Sequence, residues 1–323
     1  MKHRLILSRP MPSAVEARAK SEFDALVPEH ALDAEALAEQ AHAHRAQGLL
    51  FSGSLRLDRT LIERLPPSLR VAATTSVGFD HVDLQAAADA GIVVTNAPVV
   101  TECTADAAML HILAASRRAR EHLKVMEGGW GRPLGLSELL GQRVSGNTLA
   151  IVGMGRIGQA VAQRARAFGM TVLYHSRRRV APELEQGARY FASLHDMLPQ
   201  ARILSLHLPG SAGTAPLIGA RELALLPRGA IVVNTARGSL IDEDALIEAL
   251  LAGQVAAAGL DVFRREPHVD PRFLALPQVF LTPHSGSSTV QTRNALGLRG
   301  LDNIAAVLDG HPVADALELQ DTQ

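Results

Sequence analysis

Cysteine is nearly absent from the 323-residue chain: Cys103 stands alone, so neither an internal disulfide nor a cysteine-built zinc site is available. A single thiol suits a reducing cytoplasm. Lysine is scarce as well, limited to Lys2, Lys20 and Lys124, and none of these follows a glycine-rich strand end. Phosphoryl transfer through a P-loop is thereby excluded. Neither charge is in excess, because Lys+Arg number 32 and Asp+Glu 33, and a net charge of -1 exerts no global pull toward nucleic acid or anionic lipid. No apolar run approaches membrane-spanning length, and Lys2 and Arg4 precede only Leu5, Ile6 and Leu7, too few for a signal-peptide core. The expectation is a cytoplasmic protein whose partners are small metabolites rather than nucleic acid or membrane. With 47% hydrophobic and 20% charged residues the chain is globular, and its length suggests two domains.

Apolar runs alternate with helical patterns almost throughout, the signature of βαβ units that stack a parallel sheet between helices. A first set of strands is expected at 4–7, 48–51, 71–75 and 92–95, with helical segments such as 12–26 and 58–65 between them. One long helix is expected over 101–126, ended by the glycine-rich stretch 127–135. A second set of six strands follows at 148–152, 171–174, 203–206, 230–234, 257–261 and 279–282. The fold class expected is α/β with two doubly wound parallel-sheet domains. A smaller, discontinuous substrate domain takes 1–99 and 288–323, and a Rossmann-type domain takes 100–287. His42 and His44, two apart on a helix, point to different faces and read as surface histidines rather than a metal pair. Nothing in the sequence calls for a metal.

Gly153, Gly155 and Gly158 form a Gly-x-Gly-x-x-Gly with Arg156 and Ile157 between them, after an apolar strand and before an amphipathic helix at 159–168. That context is the one a dinucleotide requires: the first glycine permits the turn, the second admits the pyrophosphate and the third lets helix pack on strand. The helix N-terminus adds amides and a positive dipole end. A glycine-rich turn that holds nothing is the alternative. About twenty residues on, NAD-binding folds place an acid on the ribose 2'-hydroxyl. Here the second strand ends in Ser176, Arg177, Arg178 and Arg179. With no carboxylate to repel it and guanidinium groups to grip it, a 2'-phosphate is favoured, so NADP(H) is preferred and NAD(H) possible. A solvated arginine cluster is the alternative reading.

Three later strand ends carry polar residues, and ligands of open α/β sheets bind at such ends. Arg237 offers a fork to a carboxylate, His284 can exchange a proton near neutral pH, and Glu266 can orient the imidazole and stabilise its cation. The set suits hydride transfer to a 2-keto acid. Taken singly, the three can equally be a structural ion pair, a solvated loop acid and a core histidine.

Over nearly its whole length the chain resembles the D-isomer-specific 2-hydroxyacid dehydrogenases. The resemblance rests on the phosphate turn, NTARGSLID at 234–242, AGLDVFRREP at 258–267 and TPHSGSST at 282–289. It implies a split substrate domain, a hinged cleft and a homodimer built largely from the cofactor domains. It further implies that Arg237 binds substrate, that His284 is the general acid/base and that Glu266 is its partner. By the same resemblance the backbone of Ser76, Val77 and Gly78 holds the substrate carboxylate, with Arg237 and His284 completing the substrate site. Thr104 and Asp261 lie near the nicotinamide end, and Thr235 and Ala236 contact the cofactor. The run TTSVGFDHVD at 74–83 is most similar to glyoxylate/hydroxypyruvate and 2-ketogluconate reductases. Two positions depart from that pattern: no second tryptophan follows Trp130, and Ser285 stands where an apolar residue is commoner. The activity implied is NADPH-dependent reduction of a small 2-keto acid to the D-2-hydroxy acid. A nucleotide-sensing corepressor and a phosphite or formate dehydrogenase are alternatives on the same scaffold.

Overall fold

The structure, a computed structural model, describes residues 2–210 and 216–319. They fall into two compact units: one runs up to Val100 and resumes at Ser288, and the other is Thr101–Ser287. Residues 320–323, assigned from sequence to the first domain, lie outside the described residues.

The first unit is built on five parallel strands, β1 (Arg4–Leu7), β2 (Asp24–Leu26), β3 (Gly48–Phe51), β4 (Val71–Thr74) and β5 (Val93–Thr95), in the order β2-β1-β3-β4-β5. This is a flavodoxin-like order. Every residue of β3 and β4 is buried, as a parallel strand covered on both faces requires. Ile6, Leu49, Phe51 and Ala72 face Leu37, Ala38 and Ala41 on one side. Leu5, Leu7, Leu50 and Val71 face Leu301 and Ile304 of the helix Val290–Leu308 on the other. Each Leu, Ile, Val or Phe side chain among these contributes roughly 1.5–3 kcal/mol. The returning helix is therefore part of this unit's core, and Thr289 caps it by accepting from the amide of Thr292 at 3.3 Å.

The second unit carries seven parallel strands: β6 (Thr148–Val152), β7 (Thr171–His175), β8 (Arg189–Phe191), β9 (Ile203–Leu206), β10 (Ala230–Asn234), β11 (Val255–Leu260) and β12 (Val279–Leu281). Their order is β12-β11-β10-β9-β6-β7-β8, so the direction of winding reverses between β6 and β9. Six of them reproduce the dinucleotide-binding order, and β12 extends the edge. The helix Thr101–Ser116 packs on β10, β11 and the helix Arg156–Ala167.

Three expectations need correction. β2 and β8 were not anticipated, because each is a three-residue edge strand with an exposed residue, too short to show a period. The segment expected as one helix over 12–26 ends at Glu22 before β2 begins. The helix expected over 101–126 is two, Thr101–Ser116 and Ala119–Glu127, broken where Arg118 adopts a φ of 54°. His42 and His44 meet different backbone carbonyls, those of Arg64 at 3.1 Å and Asp24 at 2.9 Å. Among the described residues no helix is long and apolar enough to cross a membrane.

Candidate active site

The turn after β6 takes Gly153 to a φ of 99°, where a Cβ would collide with the carbonyl of His207 beyond β9. A Cβ on Gly158 would strike the carbonyl of Gly153, so the helix can sit this close to the strand only without one. At Gly155 a Cβ would meet nothing within 4 Å. Open space thus faces the start of Arg156–Ala167, whose first turn receives no side-chain cap. Arg156 is exposed there and Ile157 half-buried. A helix start without a side-chain cap, beside open space, is what a pyrophosphate needs.

At the end of β7 the Ser176 hydroxyl donates to the carbonyl of Arg178 at 2.8 Å. Arg177 and Arg178 are exposed, with no side-chain hydrogen bond or ion pair among the described residues. Arg179 differs, donating to Glu185 from Nε at 2.7 Å and Nη2 at 2.9 Å. The Tyr174 hydroxyl donates to the same carboxylate at 2.6 Å. Arg179 and Tyr174 together hold the Glu185 carboxyl down to about 2. Burial, then the neighbouring anion, pushes the Tyr174 phenol up to about 12. The carboxylate of this corner is therefore already neutralised, and two guanidinium groups remain available.

The loops after β10, β11 and β12 bring Arg237, Glu266 and His284 into one neighbourhood. The Nδ1 atom of His284 lies 2.6 Å from Oε2 of Glu266, whose Oε1 accepts the amide of Phe263 at 3.0 Å. Burial alone would raise the Glu266 carboxyl. The hydrogen bonds from His284 and Phe263 and the charges of His284 and Arg237 outweigh it and hold the carboxyl below its usual value. Glu266 is thus an anion at neutral pH, and His284 presents Nε2 on its far side. Arg237 is half-buried, with Nη1 donating to the carbonyl of Ala236 at 2.7 Å. A Cβ on Gly238 would run into the backbone of Phe263, so that glycine lets the Arg237 loop close on the loop of Glu266.

Asp261, at the end of β11, is 1% exposed and grips the His284 loop. Its Oδ1 accepts the Thr282 hydroxyl at 2.5 Å and the amide of Ser285 at 2.7 Å, and its Oδ2 accepts the amide of Gly286 at 2.8 Å. Its carbonyl accepts the amide of His284 at 2.8 Å. Thr104 is buried on the helix that borders Gly286. Ala236 is half-buried, its amide held by Oδ1 of Asn234 at 3.0 Å. Thr235 is buried, and its hydroxyl has no partner. That orphaned hydroxyl, the open space at Gly155 and the uncapped helix fit a bound dinucleotide. His111 was not singled out from the sequence; it is 1% exposed, with Nε2 2.8 Å from Oγ1 of Thr282. A histidine inside the apolar stretch 109–113 was the one available signal, since its partner lies 171 residues away.

In the first unit, Ser76, Val77 and Gly78 follow β4. Their carbonyls are pinned: Ser76 accepts from the amide of Ala97 at 2.9 Å, Val77 from Asn96 Nδ2 at 2.8 Å and Gly78 from the Ser76 hydroxyl at 2.7 Å. The amides of Val77 and Gly78 donate to nothing among the described residues. Fixed carbonyls with two adjacent free amides make a ready receptor for a carboxylate.

Residues 109–286 match the family described as "D-isomer specific 2-hydroxyacid dehydrogenase, NAD binding domain". Glycerate dehydrogenase of Hyphomicrobium methylovorum is 37% identical over 327 residues, covering 98% of this chain and 99% of that one. The crystal structure of a putative D-isomer specific 2-hydroxyacid dehydrogenase from Polaromonas sp. JS6 66 matches with a TM-score of 0.93 at 38% identity, over 98% of this chain and 100% of that one. An NADPH-dependent glyoxylate/hydroxypyruvate reductase from Sinorhizobium meliloti, solved with NADP and malonate, matches with a TM-score of 0.85 at 33% identity, over 98% and 97% of the two chains.

Proposed function

Since the chain belongs to the D-isomer specific 2-hydroxyacid dehydrogenase family, we propose that it reduces glyoxylate, hydroxypyruvate or a related small 2-keto acid, 2-ketogluconate included, to the D-2-hydroxy acid, with NADPH preferred over NADH. The observation that carries this reading is the Glu266–His284 pair at 2.6 Å, in the neighbourhood of Arg237 at the carboxyl ends of the strands.

A bound nicotinamide dinucleotide supplies the hydride that reaches the keto carbon. Gly153, Gly155 and Gly158, with Arg156 and Ile157, shape the pocket for its pyrophosphate. Ser176, Arg177 and Arg178 take the 2'-phosphate, while Thr104, Thr235, Ala236 and Asp261 border the rest. Val77 and Gly78 offer their free amides, with Ser76, to the substrate carboxylate, and Arg237 grips it with a fork. Because Glu266 holds Nδ1 of His284, the proton goes to the keto oxygen from Nε2.

The reaction is placed in the cytoplasm, and the working unit is a homodimer built on the second unit. What supports the dimer is apolar surface there: Leu123, Met126, Trp130, Leu136 and Leu140 are each at least 55% exposed. Light scattering should give twice the chain mass. The reaction is tested by a panel of glyoxylate, hydroxypyruvate, pyruvate and 2-ketogluconate with NADPH and with NADH, followed by nicotinamide absorbance. Oxidation of NADPH with at least one of them is expected, and none with any contradicts the proposal.

A further inference from the structure

The mechanism uses no atom of His111, yet this imidazole is buried in the helix Thr101–Ser116 against the loop that carries His284. Hydrogen-bond logic fixes how it acts. Both oxygens of Asp261 accept backbone amides, so the carboxylate is an acceptor and the Thr282 hydroxyl must spend its proton on it, across 2.5 Å. Thr282 Oγ1 therefore has only lone pairs left for His111, 2.8 Å away, and the proton between them belongs to Nε2. Nδ1 is then the unprotonated nitrogen, and it is buried with no partner. Burial keeps the imidazole below its ordinary pKa, against the opposing pull of Asp261, so one N–H is what it carries.

The chain of donors runs from His111 to Thr282 to Asp261, and Asp261 holds the amides of Ser285 and Gly286 and, through its carbonyl, that of His284. It has something to hold: His284 sits at a φ of 50°, a left-handed conformation that a residue with a Cβ keeps only when its surroundings over-determine it. We propose that His111 and Thr282 are positioning residues, which polarise and orient the Asp261 carboxylate so that it clamps residues 282–286 and fixes His284 in its left-handed, proton-delivering pose. The clamp rests on the hydrogen-bond geometry alone; its consequence for turnover rests on the role proposed for His284.

The test compares His111→Leu, which keeps bulk and loses the donor, His111→Gln, whose amide nitrogen reaches about as far as Nε2, and Thr282→Val, which removes the hydroxyl at constant shape. In the Leu and Val variants, amide hydrogen exchange at Ser285 and Gly286 should quicken roughly tenfold or more, the loss of one net hydrogen bond. Their kcat for keto-acid reduction should fall about tenfold to a hundredfold, with the Kd for NADPH within about twofold of wild type. His111→Gln should restore most of both. Wild-type exchange at the two amides in both His111→Leu and Thr282→Val overturns the proposal, as does a Gln variant impaired as fully as the Leu one, which would leave His111 a packing residue. If exchange responds as stated while the wild-type chain reduces no 2-keto acid, the clamp stands and the reaction assignment falls. Should His111→Leu fail to fold, Thr282→Val decides alone.

Discussion

The imidazole of His284 and the carboxylate of Glu266 share one short hydrogen bond, Nδ1 to Oε2 at 2.6 Å, and this assigns the two ring nitrogens different duties. One is held by the protein and the other is left to the substrate. Because Phe263 supplies an amide to the second carboxylate oxygen, the glutamate cannot swing away without losing two partners.

Replacing Glu266 with Gln keeps the shape and removes the charge. The carboxyl is held below its ordinary value in the fold, so at neutral pH it is an anion beside the ring that must carry the proton. Without it the imidazolium loses a stabilising neighbour, and the alkaline limb of the reduction profile should move to lower pH. A pH profile of kcat/KM superimposable on wild type removes Glu266 from the mechanism.

Arg237→Ala should raise KM for the keto acid and lower kcat together, since a bidentate clamp both binds and orients. Lysine in its place should recover only part of the loss, because a point charge does not reproduce the planar fork. Steady-state kinetics of the two variants decide the matter, and a Lys variant equal to wild type points to charge alone.

The side chains of Arg177 and Arg178 make no hydrogen bond or ion pair among the described residues, whereas Arg179 is taken by Glu185. Each charge-assisted bond to a 2'-phosphate contributes about 1.5–3 kcal/mol, so two supply a preference of roughly a hundredfold or more, reduced by salt at an exposed corner. Changing both to Ala should weaken NADPH selectively, and Ser176→Asp should favour NADH. Catalytic efficiency measured with each cofactor gives the answer. An unmutated enzyme that prefers NADH contradicts the assignment.

Glu185 links the same corner to acid stability. Its carboxyl lies near 2 in the fold, against roughly 4.3 when unfolded, so its contribution is complete above about 4.3 and is lost as pH falls toward 2. Glu185→Gln should therefore lower Tm at neutral pH, with the gap to wild type closing as the pH drops through that window. A gap independent of pH would show that the anion is not what matters.

What could be read from the sequence follows burial and context. The fully buried runs of β3, β4 and β10 announce themselves because a doubly covered parallel strand is apolar at nearly every position, with only Thr74 and Asn234 polar at the strand ends. β2 and β8 do not, because three residues at a sheet edge fix no period. The break at Arg118 is silent in the sequence, since nothing in an Arg-Arg pair signals a left-handed residue. The neighbourhood of Arg237, Glu266 and His284 was legible because each lies in the loop that follows a strand, where this architecture puts ligands. His111 was not, because its meaning lies in a hydroxyl 171 residues away. Nor could the sequence show that Asp261 commits both oxygens to the His284 loop, as that depends on backbone amides that carry no residue code.

The central claim, that His284 delivers the proton in keto-acid reduction, is tested most directly by His284→Ala. Turnover of the best keto acid and the Kd for NADPH should be measured on the same preparation. The account predicts turnover lower by roughly 10²–10⁴-fold with the affinity for NADPH unchanged. Wild-type turnover in that variant would contradict it.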